Sequence, residues 1–107
     1  MNPTELNAII EKIKKKAKAS AFRLTLHAQT EMVEREIVLD EILEAIDSGT
    51  ILENYPEHKR GACCLVYGQT TKQRSLHIVC TTSQERLIII TAYEPKPPKW
   101  VSPTERR

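Results

Sequence analysis

Histidine is the side chain whose ordinary pKa, about 6.5, lets it both give and take a proton near neutral pH. Two of the three histidines, His27 and His77, lie beside other groups able to do chemistry. In "LHAQTEMVERE" the residues His27, Glu31 and Arg35 recur every fourth position, and on a helix each step of four turns by only about 40°. An imidazole, a carboxylate and a guanidinium therefore share one stripe, beside Ala28 and Met32. Such a stripe can meet one partner surface, or it can serve the helix itself as i,i+4 pairs. In "SLHIVC", Leu76, Ile78 and Cys80 share one face of a strand while His77 shares the other with Ser75 and Val79. If helices cover the apolar face, His77 stands on the open face, near Tyr67, Cys63 or Leu65 on one neighbouring strand and Tyr93 or Thr91 on the other.

The third chemical feature is "ITAYEPKPPKW", Ile90 to Trp100. Tyr93 ends an apolar run, and Lys96, Lys99 and the single tryptophan, Trp100, follow on a chain stiffened by Pro95, Pro97 and Pro98. With Arg74 and Arg86 flanking nearby strands, cations interleaved with aromatics have the composition of a surface for single-stranded nucleic acid. The alternative is that Trp100 folds back as a hydrophobic plug while the lysines are solvated.

These groups need elements to hold them. Leu6, Ile9, Ile10 and Ile13 fall at helical spacing and predict a first helix over the first 21 residues, with lysines 12, 14, 15, 16 and 18 giving it a cationic outer face. "FRLTL", Phe22 to Leu26, alternates with period two and reads as a short edge strand. His27 to Glu36 and a segment from about Asp40 to Gly49 then form a bent helical pair. "TILENY", "ACCLVYG", "SLHIVCTT" and "RLIIITAY" read as four strands joined by short turns, an antiparallel meander whose last strand is central and whose first is an edge. The expected class is α+β, with N-terminal helices on one face of a four- to five-stranded antiparallel sheet.

At 107 residues the chain fits a single domain, 1–107, comprising the basic helix, a core over 22–100 and a flexible tail over 101–107. No stretch approaches the roughly 20 apolar residues of a membrane span, and apolar residues near the N-terminus are interleaved with charge rather than gathered as in a secretory signal. A cytoplasmic protein with no membrane partner is expected. The net charge of +2 is unevenly spread, +4 over residues 1–30, −8 over 31–57 and +6 over 58–107. A basic C-terminal half suits an anionic partner. Cys63, Cys64 and Cys80 show no C-x-x-C spacing and the histidines no H-x-x-x-H, so the cysteines read as buried strand residues and neither a metal nor another cofactor is expected.

Taken together, "LTLHAQTEMVEREI", "ILEAIDSGTILENYPEH", "LVYG", "LHIVC" and "IITAYEP" resemble the bacterial family called domain of unknown function 4258, over about residues 22–100. The resemblance implies a fold similar to the RelE/ParE superfamily of toxin–antitoxin modules, whose toxins often cleave messenger RNA on the ribosome. By position it carries over His27, Arg35, Tyr55, His77 and Tyr93. It implies a metal-independent RNA endonuclease with a small antitoxin encoded nearby and RNA or the ribosome as target. The expected roles are proton transfer by His27 and His77, phosphate binding by Arg35, orientation by Tyr93, and substrate contacts by Arg74, Lys96, Lys99, Trp100 and Tyr55. The competing expectations are a non-catalytic protein- or nucleic-acid-binding module and a strand edge that pairs two copies into a homodimer.

Overall fold

A computed structural model describes residues 3–106. Helix α1 spans Pro3–Lys18 and buries Ile10, Ile13 and Ala17, three residues on one side of the cylinder, while Lys12, Lys15 and Lys18 face solvent. Strand β1, Phe22–Leu24, leads into α2, Leu26–Glu34, and α3, Leu39–Asp47. Thr25 caps α2: its hydroxyl accepts from the Ala28 N–H at 3.1 Å and donates to the Ile90 carbonyl at 3.0 Å, tying the helix start to the sheet. The helix stops where Glu36 takes a left-handed φ of 54°, and the Ile37 N–H turns back to the Met32 carbonyl at 2.8 Å.

Four strands follow, β2 (Thr50–Tyr55), β3 (Cys63–Gln69), β4 (Ser75–Thr81) and β5 (Leu87–Tyr93). The sheet order is β1-β5-β4-β3-β2. Strands β2 to β5 form the expected antiparallel meander, but β1 pairs parallel to β5, Phe22 opposite Leu87 and Leu24 opposite Ile89, so the sheet is mixed rather than antiparallel. A short turn dictates antiparallel pairing for neighbours in sequence; no such turn joins β1 to β5, and the direction of β1 is set by where α1 and α2 pack.

All three helices lie on one face. Ile10, Ile13, Ile42, Ala45 and Ile46 meet Cys64, Val66, Leu76, Ile78, Cys80 and Ile89 in a single core. Contact between α3 and β3 is close enough that a Cβ at Gly68 would lie 1.8 Å from the Ala45 carbonyl oxygen. The three cysteines are free and buried. The segment expected as a flexible tail instead forms a hairpin over 100–106, strands β6 (Trp100–Ser102) and β7 (Glu105–Arg106). Trp100 and Arg106 anchor it to the second face of the sheet, which is therefore covered in part rather than open.

Candidate functional site

Side chains that alternate away from the core along β2 to β5 make the second face. Cross-strand register places His77 opposite both Tyr67 on β3 and Tyr93 on β5. His77 is fully buried, with ring centroids 5.2 Å from Tyr93, 6.1 Å from Tyr67 and 4.3 Å from Trp100, all close to edge-on. Its Nε2 lies 2.5 Å from the Pro103 carbonyl oxygen and its Nδ1 3.1 Å from the Tyr93 hydroxyl. A carbonyl only accepts, so Nε2 carries the proton and donates, and the Tyr93 hydroxyl donates to Nδ1. Burial pushes the His77 pKa below its ordinary 6.5, against the opposing pull of the Pro103 carbonyl and Glu53, and keeps the ring neutral. Burial likewise raises the Tyr93 pKa above 10.0, partly offset by the neighbouring Trp100 indole and by Arg106. The indole Nε1 is itself buried and meets no partner in hydrogen-bonding geometry, so its influence on Tyr93 is one of proximity.

Beside this pair opens a cleft of about 360 Å³, floored by Leu65, Val79 and Thr91 and walled by Glu31, Arg35, Tyr55, Tyr93, Lys99 and Arg106. Glu31 and Arg35 of the stripe read on α2 form one wall. Glu31, 13% exposed, accepts from the Ala92 N–H at 3.2 Å, meets His27 Nε2 at 3.3 Å and lies 3.9 Å from Arg35 Nε. The opposite wall is an ion-paired network: Arg106 reaches Glu53 through Nε at 3.0 Å and Nη2 at 2.8 Å, and the Tyr55 hydroxyl donates to the same carboxylate. The Arg106 bonds hold the Glu53 carboxyl below the usual carboxylate range, and burial with the adjacent Glu53 pushes the Tyr55 phenol up to about 12.

The expected site residues divide accordingly. Arg35, Tyr55, Tyr93 and Lys99 line the cleft. His27 stands outside its lining with its side chain 65% exposed, joined to it through Glu31, and His77 lies behind Tyr93, so the two histidines do not meet. Trp100 is a plug, 2% exposed, rather than an open stacking surface. Arg74 is elsewhere. Its guanidinium donates to the Arg35 and Glu36 carbonyls at 2.7 and 2.9 Å and pairs with Glu41 and Glu94 at 3.1 and 3.0 Å, leaving it saturated by the protein's own acceptors. Lys96 extends toward Glu94 at 3.7 Å. Two residues that wall the cleft, Glu31 and Arg106, lie outside the expected site residues. Glu31 is visible in the sequence as the middle of the stripe; Arg106 carries no local signal, because its role depends on a hairpin folding back onto β2.

Among the described residues no group of histidine, cysteine or carboxylate side chains is placed to hold a metal ion, and no helix is long and apolar enough to cross a membrane. The fold and cleft define an α+β protein with helices on one sheet face and a mixed cationic, aromatic and acidic cleft on the other. The chain belongs to the family described as Domain of unknown function (DUF4258), whose sequence model matches residues 24–94, from the last residue of β1 to just past β5. No curated protein and no solved structure matches it.

Proposed function

We propose that the chain binds single-stranded RNA in this cleft and cleaves it without a metal, acting as the toxin of a toxin–antitoxin module held in check by a small antitoxin. The observation that carries the proposal is the Tyr93 hydroxyl, which lines the cleft while donating to the neutral His77 Nδ1 behind it. A ribose 2′-OH that donates to Tyr93 Oη passes its proton there as the phenol proton moves to His77 Nδ1. The 2′ oxygen forms a bond to the adjacent phosphorus, the P–O5′ bond breaks, and the leaving 5′ oxygen takes its proton from solvent, since His27 stands outside the cleft. Arg35 and Lys99 take the charge that gathers on the phosphate oxygens. His77 in this scheme acts through Tyr93. The resemblance to RelE/ParE toxins, noted from sequence motifs, supports the same reading.

The test is end-labelled RNA incubated with purified protein, alone and with translating ribosomes, scored for 2′,3′-cyclic phosphate ends. Cleavage that drops about 100-fold in Tyr93→Phe is expected; intact RNA with the unaltered protein, or undiminished cleavage by the variant, overturns the proposal. A second reading, a non-catalytic nucleic-acid- or protein-binding module, is favoured by one observation: both ring nitrogens of His77 are engaged within the protein. Salt-sensitive RNA binding with no cleavage under either condition would select it.

A further inference from the structure

Trp100 closes the second sheet face in an unusual way. Its indole stands edge-on over the His77 ring at 4.3 Å and carries Arg106 on its own face at 4.7 Å, yet its buried Nε1 has no hydrogen-bond partner. The ring is therefore held by shape, aromatic contact and the Arg106 cation on its face, with no hydrogen bond of its own. The hairpin that delivers it has strands of only three and two residues. Its described polar tethers to the sheet are the Pro103 carbonyl on His77 and the Arg106 pair with Glu53. Removing the indole would bare the His77 ring between Tyr67 and Tyr93, an aromatic cradle next to the cationic cleft.

We propose that Trp100 occupies a nucleobase subsite, and that single-stranded RNA lifts the hairpin and seats an unpaired base where the indole lies. A purine is a flat bicycle of similar size, and its ring nitrogens can accept from the His77 Nε2–H that the Pro103 carbonyl releases as the hairpin lifts. The base meets the His77 ring edge-on, as the indole does, and an aromatic contact of this kind does not depend on which base is seated. Arg106, freed with the hairpin, can follow the incoming nucleotide and bind its phosphate. The inference rests on the RNA reading above and assigns where a base sits within it.

Trp100 is the only tryptophan, so its emission reports the subsite directly. The full chain would be titrated with a short fluorophore-labelled, 2′-O-methylated single-stranded ribo-oligonucleotide, which 2′-OH attack cannot cleave, and separately with inorganic polyphosphate. Binding would be read by anisotropy of the label, and Trp100 exposure by its emission maximum and acrylamide quenching, measured with an unlabelled oligonucleotide. The expected result is a red shift and about a three-fold rise in quenching with the oligonucleotide and neither with polyphosphate. Glu53→Gln, which frees Arg106, should expose Trp100 in the free protein and tighten oligonucleotide binding about three-fold. An oligonucleotide that binds while Trp100 stays shielded, or polyphosphate that exposes it equally, overturns the subsite and leaves RNA binding standing. An oligonucleotide that fails to bind overturns both. Exposure of Trp100 without cleavage of the unmethylated RNA supports the subsite and removes only the nuclease.

Discussion

His77 shows how a single residue can be chemically suited to a task and yet lie fully buried beneath the side chains that cover it. Its burial makes the charged ring costly, and that cost is a statement about stability. The folded pKa lies below the ordinary 6.5, so the unfolded chain binds a proton first as pH falls. Stability from this group is complete above pH 6.5 and drains away below it, toward the lowered folded value. Glu53 and Glu94 are carboxyls held below 4.5 by Arg106 and Arg74, and their contributions are lost only in a more acidic range. Thermal unfolding followed from about pH 7.5 to 5 should therefore show a falling midpoint that His77→Gln flattens. An unchanged slope in the variant would mean that another group sets the acid sensitivity. The same residue illustrates what was legible beforehand. Strand alternation placed His77 on the face away from the helices and named Tyr93 among its neighbours, but no periodicity says that a distant carbonyl, Pro103, will close over it.

At the scale of elements, the helical layer is positioned by two devices that differ in how visible they are. Thr25 is a recognisable cap, and Thr25→Ala should cost about 1–2 kcal/mol by urea unfolding, since it removes both the cap and the tie to Ile90. Gly68 looks ordinary inside "LVYGQ", yet the Ala45 carbonyl occupies the space a side chain would need. Gly68→Ala must push α3 off β3 and should cost about 3 kcal/mol or more, read in the same experiment. A loss under about 1 kcal/mol would show that α3 shifts freely. The helices and the four meander strands were readable because each has its own period and its own turn. The parallel β1 was not, since three residues carry no preference for one partner's direction over another.

For the molecule as a whole, Arg74 joins parts that the sequence keeps far apart. It binds the end of α2 through two carbonyls, α3 through Glu41 and the end of β5 through Glu94, with its side chain 22% exposed. Arg74→Met should destabilise the fold by about 2–3 kcal/mol and reduce any RNA cleavage only through the displacement of Arg35. Chemical denaturation checks the first, and a rise in KM larger than the fall in kcat checks the second. A stable variant with normal unfolding would instead return Arg74 to the surface as a free cation. The proposed toxin role belongs to this scale too. Induced expression alone should arrest growth, and co-expression of an adjacent small open reading frame should relieve it; Tyr93→Phe should grow normally at equal protein levels.

Periodicity, turn spacing and the placement of cations and aromatics determined the α+β class, the antiparallel meander and the His27–Glu31–Arg35 stripe, because each depends on residues close along the chain. Tertiary structure alone decided that the Arg74 guanidinium is engaged by Glu41, Glu94 and two backbone carbonyls, that Glu31 and Arg106 wall the cleft, and that Trp100 is buried over His77. Those outcomes turn on contacts spanning tens of residues, such as Arg106 with Glu53 and Pro103 with His77, where the burial of one large indole sets the geometry and no local pattern records the partner.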